Sequence, residues 1–141
     1  MTVPGGGWTV TRGPAQLIGA AGTDLDPDEE SAADLVDIDI HNLLGNNMNN
    51  WRVDIRRSDT LWHANLSLYA RRTADGTAGG GTNPSITGGT NYQLITTTDT
   101  AFFSGRRARS GVKVQLYLTG ISVALGVNTY TTTIIYTEVD L

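Results

Sequence analysis

The chain lacks cysteine, has one lysine and has no long apolar run, and each absence excludes a class of function. Without cysteine among its 141 residues, it has no thiol catalysis, no Cys-ligated zinc or iron–sulfur cluster and no disulfide scaffold. No run of about 18 apolar residues occurs, so the sequence predicts no transmembrane helix. A net charge of −4 argues against nucleic acid as a partner. This length is typical of one domain, and we expect residues 1–141 to form a single one.

Charge is scarce and unevenly placed. Charged residues make up 17% of the chain, and nine of its ten basic residues are arginines. Residues 1–50 hold eight acidic residues and one basic residue, whereas residues 51–141 hold nine basic and six acidic residues. Either the two parts pair within one fold, or they steer one copy of the protein onto the opposite end of another.

Alternation of apolar and polar residues is the dominant pattern, and it predicts β-strands with one polar face. The predicted strands are Trp8–Thr11, Ala32–His41, Trp51–Arg57, Leu61–Arg72, Tyr92–Thr97, Val112–Leu118 continuing through Ile121–Leu125, and Tyr130–Val139. Loops are predicted between them, at the Asn-rich residues 42–50, at the turn Ser58–Thr60 and at the Gly-rich residues 77–90. We therefore expect an all-β fold: an immunoglobulin-like antiparallel β-sandwich of about seven or eight strands, with a β-barrel or jelly roll as the alternative.

The C-terminal two thirds of the chain resembles a known group of proteins. The segments Phe102–Gly105, Val112–Leu116 and Gly126–Thr137 are similar to the last strands of secreted bacterial pilin-like and spore-coat-protein-U-like sandwiches. In that group a Gly and a Tyr lead into a Thr-rich alternating strand that closes the domain. The resemblance implies an extracellular or cell-surface protein that assembles with copies of itself.

The acidic run near the N-terminus is a candidate metal site. Asp24, Asp26 and Asp28 place carboxylates at every second residue, and oxygen ligands of this kind suit Ca²⁺. The run departs from an EF-hand loop, because Glu29 stands where that loop needs glycine. The alternative is a solvated acidic loop. No other cofactor is expected.

Two further sets of residues are candidates for contacts with a partner. The arginines after Gly105 form the only basic cluster and suit an acidic neighbour. The last strand, Tyr130–Val139, or the first, Trp8–Thr11, offers an edge for strand addition. The residues that we assign to self-association are Arg106, Arg107, Arg109, Tyr130, Ile134 and Tyr136. Trp62, beside a predicted turn, is the candidate for stacking on a surface glycan.

The sequence shows no catalytic constellation. His41 and His63, the only histidines, lie on different predicted strands, and no Gly-x-Ser-x-Gly motif is present. We expect a non-enzymatic structural subunit of an extracellular bacterial filament, pilus or surface matrix, which self-assembles by strand addition or through complementary charged faces. Two alternatives remain open: a virion structural protein, such as a phage tail or decoration domain, and a carbohydrate-binding module.

Overall fold

The computed structural model describes residues 1–20, 22–41 and 50–141. These residues form ten β-strands and two 3₁₀ turns, Pro14–Gln16 and Val123–Leu125, with no α-helix among them. The strands are β1 (Glu29–Glu30), β2 (Val36–Ile40), β3 (Asn50–Leu61), β4 (Ser67–Ala74), β5 (Thr77–Ala78), β6 (Ser85–Gly88), β7 (Gln93–Leu94), β8 (Thr100–Arg106), β9 (Arg109–Thr119) and β10 (Thr131–Asp140). In this part of the chain no helix is long and apolar enough to cross a membrane.

The strands form two antiparallel sheets. We call the first the β9 sheet: its order is β1-β9-β4-β7, and β2 and β5 also pair with β9. Along β9, β1 and β2 follow each other on one side, while β4 and β5 follow each other on the other side. The second, the β3 sheet, has the order β10-β3-β8-β6. The expected all-β antiparallel sandwich is thereby confirmed.

Consecutive strands lie apart in the sheets. None of the ten strands pairs with the strand that follows it in the chain, whereas an immunoglobulin domain has several such neighbouring pairs. From β2 to β4 and from β7 to β10, each connection crosses from one sheet to the other. This alternation between layers is the connectivity of a jelly roll, which the sequence leaves open as an alternative.

The core lies between the sheets and follows the alternation predicted from the sequence. In β3, Trp51, Val53 and Ile55 are buried, and the ring of Phe103 from β8 meets Trp51 edge-on at 6.0 Å. Burying a side chain of this size stabilises the fold by about 1.5–3 kcal/mol. The other buried members of this cluster are Val36, Ile38, Ile40, Leu68, Ala70, Ile95, Phe102, Val112, Val114 and Leu116.

Several predicted elements have different bounds in the structure. The predicted turn Ser58–Thr60 lies inside β3, because Thr131–Thr133 of β10 continues to pair with β3 up to Leu61. The predicted strand Leu61–Arg72 is divided between the end of β3 and β4. Within the predicted loop 77–90, β5 and β6 form short strands.

Other predicted strands are shorter or absent. Trp8–Thr11 is not a strand, and only Gln93–Leu94 of the predicted Tyr92–Thr97 pairs in a sheet. Ile121–Leu125 ends in a 3₁₀ turn, since Gly120, with a φ of 85°, stops the strand before it. The predicted Asn-rich loop lies outside the described residues, except for Asn50.

Candidate functional site

The last strand, β10, is an edge strand with one free side. It pairs with β3 from Thr131, opposite Leu61, to Asp140, opposite Trp51. On its other side no strand pairs with it in the part of the chain that the structure describes. The fold therefore leaves a ten-residue edge at which every second residue presents its main-chain N–H and C=O to solvent or to a partner.

An apolar cleft of about 1100 Å³ opens beside this edge. Its walls come from β10, the ends of β4 and β9, and the N-terminal segment before Pro14. That segment is bridged to β2 at Thr2 and Gly5, but residues 6–12 make no main-chain hydrogen bonds to the other described residues. The apolar residues that line the cleft include Trp8, Val10, Leu68, Leu116, Leu118, Ile134 and Tyr136.

Of the three β10-region residues assigned to self-association, two face inward and the third holds a neighbouring segment. Ile134 and Tyr136 pack against the core from the cleft side, so they do not project from the free edge. The Tyr136 hydroxyl is buried without a hydrogen-bond partner among the described residues, and burial raises the pKa of Tyr136 far above its usual value. Tyr130 instead donates a 2.5 Å hydrogen bond to the carbonyl of Leu125 and meets the ring of His63 at 5.6 Å. It fixes the segment that enters β10.

The three arginines of the basic cluster have different surroundings. Arg107 is only 5% exposed, and its Nε and Nη2 donate to the main-chain and side-chain oxygens of Thr82 at 3.1 and 3.3 Å. Arg106 and Arg109 are half-buried, and the Nε of each is buried without a partner among the described residues. Arg109 also donates from Nη1 to the carbonyl of Asp75 at 3.4 Å. Arg106 and Arg109 are thus the partly exposed members of the cluster, whereas Arg107 is used within the fold.

The acidic and basic segments lie at opposite ends of β9. Glu29 pairs with Leu118, whereas Arg109 pairs with Ile40 at the other end of the strand. At roughly 3.3 Å per residue, these positions are about 30 Å apart. Arg12 does pair with Glu29, at 2.6 Å, and Lys113 pairs with Asp37, at 2.5 Å. Pairing within the fold therefore accounts for part of the acidic N-terminal half, including Glu29 at the acidic end, but it does not join the acidic end to the arginines at the other end of β9.

The three candidate metal ligands do not converge. An oxygen of Asp24 accepts hydrogen bonds from the amides of Leu25 and Val123, each at 2.8 Å. An oxygen of Asp26 accepts one from the amide of Asp28, at 3.4 Å. Within residues 1–20, 22–41 and 50–141, no three acidic, histidine or cysteine side chains are grouped so that they could hold a metal ion.

Trp62, the candidate for glycan stacking, is half-buried beside the cleft. Its Nε1 donates to the carbonyl of Leu66 at 3.1 Å, and the guanidinium of Arg57 lies 5.2 Å from the ring centroid. The ring also packs against the core. Its position is thus fixed by contacts within the chain, and it lines the cleft.

A group of tyrosines on the outer face of the β9 sheet escaped the sequence analysis as a group. Tyr69 and Tyr117 are cross-strand partners with ring centroids 6.0 Å apart, and the ring of Tyr92 lies 5.1 Å from that of Tyr117. Arg71 lies 4.7 Å from the Tyr92 ring, and the Tyr92 hydroxyl donates to Glu30 at 2.9 Å. We call these five residues the tyrosine face. The signal in the sequence that could have revealed part of this group is the alternation in β4, which places Tyr69 and Arg71 on the outward face.

Similarity to other proteins gives no further guide: no family model, no curated protein and no solved structure matches this chain. The free edge of β10, the cleft beside it, the separated charged ends and the tyrosine face are therefore the features that bear on function.

Proposed function

We propose that this domain is a non-enzymatic structural subunit of an extracellular bacterial filament, pilus or surface matrix, and that it assembles by adding a strand of a second copy to the free edge of β10. The observation that carries the proposal is a ten-residue edge strand next to an apolar cleft.

The edge of β10 has few of the devices that usually protect an exposed strand: its one inward-pointing charge, Glu138, pairs with the N-terminal ammonium of Met1 at 3.0 Å. Natural edge strands are kept from pairing by short length, by proline, by lysine or by bulges. Residues 131–140 contain no proline and no lysine, and the one register shift against β3 lies at the end, between Thr131 and Thr132. The opposite edge of the same sheet is β6, of four residues, and the β9 sheet has β7, of two residues, at one edge. By this measure β10 is the edge best suited to accept a strand.

The cleft adds a place for side chains of the added strand. In strand addition, main-chain hydrogen bonds supply affinity and pockets for alternate side chains supply specificity. Ile134 and Tyr136 line the cleft, and the Tyr136 hydroxyl has no partner there among the described residues. An added strand could bury further apolar area against these walls.

The charged ends support a second mode of assembly for the same subunit. The acidic residues 24–30 and the arginines 106 and 109 lie at opposite ends of β9. A head-to-tail contact would bring the acidic end of one copy to the arginines of the next. Because such a contact is heterologous, it would extend into a fibre or close into a ring. Assembly by this mode weakens as salt is added, whereas strand addition does not depend on charge.

The test compares the assembly of the purified natural chain with that of a variant that carries added charge at the β10 edge. Thr133 and Thr137 are exposed, and lysine at both positions would place two positive charges at the edge where a partner strand must pair. We expect the natural chain to form filaments or oligomers larger than a dimer with rising concentration, seen by light scattering and electron microscopy, and Thr133→Lys/Thr137→Lys to lose these larger assemblies.

A matched control is Thr87→Lys, because Thr87 is an exposed threonine on β6, the other edge of the same sheet. This variant should assemble like the natural chain. A natural chain that stays monomeric at high concentration in both low and high salt would contradict the proposed function.

A further inference from the structure

We propose that the tyrosine face is an interface at which two copies of this chain pair face to face about a two-fold axis. This contact uses the outer face of the β9 sheet, so it is separate from the free edge of β10 in the β3 sheet and does not depend on the proposed strand addition.

The composition of the face is that of an interface core. Tyrosine and arginine are enriched in protein interfaces, whereas lysine is depleted. Here three of the five tyrosines of the chain meet on one sheet face, and each is half-buried. Their rings are held against one another, so their ordering would cost little entropy on binding.

The charges of the face are left for a partner. Arg71 donates two hydrogen bonds, of 2.9 and 2.8 Å, to the amide oxygen of Gln115, and no carboxylate lies within ion-pair distance of it among the described residues. Glu30 accepts from the Tyr92 hydroxyl and likewise lacks a basic partner in this part of the chain. The nearest ion pair on the face, between Lys113 and Asp37, is already made within the chain.

The arrangement of these two charges is self-complementary. Arg71 lies on β4 and Glu30 on β1, with β9 between them, and Tyr92 contacts both. Consider a two-fold axis that lies in the plane of the interface and is perpendicular to the line from Arg71 to Glu30. It places Arg71 of each copy opposite Glu30 of the second copy. An isologous contact of this kind requires one patch that matches itself.

The face is somewhat smaller than a standard interface. β9 has eleven residues, but β1 and β7 at the sides of the sheet have two each. With strands about 4.8 Å apart and about 3.3 Å per residue, the projected face covers roughly 500 Å². A standard interface buries about 800 Å² of accessible surface on each partner. Two sheets that meet face to face would then pack about 10 Å apart, as in a sandwich.

The test is a charge swap across the proposed axis, in the background that removes assembly through β10, Thr133→Lys/Thr137→Lys. In this background we expect a dimer by light scattering and analytical ultracentrifugation. Arg71→Glu alone and Glu30→Arg alone should each raise the dimer dissociation constant at least about tenfold, because like charges then face each other. The double variant Arg71→Glu/Glu30→Arg should restore the dimer, and so should a mixture of the two single variants.

The matched control is Arg56→Glu, an arginine of β3 on the other sheet that pairs with Asp99 at 3.4 Å. It should leave the dimer unchanged, and the thermal melting of each variant shows that it is folded. A protein that stays monomeric in this background would overturn the inference, and so would a dimer that the single reversals leave intact. Tyrosine-dependent binding to a glycan array by a monomer would also overturn it and assign the face to a sugar.

Discussion

The indole Nε1 of Trp51 donates a 2.6 Å hydrogen bond to the main-chain carbonyl of Arg107. This bond joins the start of β3 to the connection between β8 and β9, where Arg107 has a left-handed φ of 74°. Gly105, two residues earlier, lies directly against the same ring, since a Cβ there would be 2.5 Å from Cζ2 of Trp51. One buried side chain therefore sets the conformation of the connection that carries the arginines.

We expect Gly105→Ala to lower the free energy of unfolding by at least about 1–3 kcal/mol. The added Cβ would meet the carbonyl of Ser85 at 2.4 Å as well as the Trp51 ring, and overpacking of a buried site has this cost. Urea unfolding measures the change. Gly80→Ala is the control, because a Cβ there meets nothing within 4 Å; equal effects of the two substitutions would contradict the predicted close packing.

Trp51→Phe should lower the free energy of unfolding by about 1–3 kcal/mol. Phenylalanine keeps an aromatic ring at this position, but the carbonyl of Arg107 loses its hydrogen bond. A buried acceptor without a partner has a cost of this size. Denaturant unfolding tests the expectation. A variant as stable as the natural chain would mean that this carbonyl finds water when the indole is absent.

The two tyrosines around the cleft should respond to phenylalanine in opposite directions. Tyr136→Phe removes a buried hydroxyl that has no partner among the described residues, so we expect the monomer to become more stable by about 1 kcal/mol. Tyr130→Phe removes the bond to Leu125 and should lower stability by about 1 kcal/mol. Thermal melting of both variants in the assembly-blocked background gives the comparison. A loss of stability in Tyr136→Phe would show that this hydroxyl is satisfied in the monomer.

Alkaline pH should weaken the fold through Tyr92. Burial, and then the hydrogen bond to Glu30, raise the pKa of Tyr92 from 10.0 to about 12. The folded state therefore keeps this proton at a pH where the unfolded chain has lost it. The stabilising contribution is complete below pH 10 and is lost as the pH rises to about 12.

Tyr92→Phe isolates this effect, since the burial that raises the pKa values of Tyr117 and Tyr136 affects both proteins alike. Between about pH 10 and pH 12, stability measured by urea unfolding should fall less steeply for the variant than for the natural chain. Parallel curves would contradict the raised pKa of Tyr92, and with it the burial of its hydroxyl beside Glu30.

The strands that alternate cleanly were predictable, and the exceptions have identifiable causes. In β2 the apolar residues recur at every second position, whereas β10 is recognised by its run of Thr and Ile residues, and both segments are strands. In β8, Phe102 and Phe103 are adjacent yet both are buried, because the register against β3 shifts between Val53 and Asp54. A bulge of this kind depends on the neighbouring strand, so local alternation cannot reveal it.

The candidate contact residues were predictable by position more than by orientation. The sequence placed Ile134 and Tyr136 on a terminal strand, and that strand is an edge, but both side chains turn to the cleft. Arg107 could not be separated from Arg106 and Arg109, since its burial depends on Thr82 and Gly81 in a distant connection. The grouping of Tyr92 with Tyr117 likewise requires the order of strands in the sheet.

The absence of pairing between consecutive strands governs the order in which the chain can fold. None of the ten strands forms a hairpin with the strand that follows it, and β3 finds its two neighbours only in β8 and β10, far along the chain. Closing such long loops before any contact is gained makes folding slow. During synthesis the apolar face of β3 therefore leaves the ribosome well before its partners, and for that interval it is open to wrong pairing with other chains.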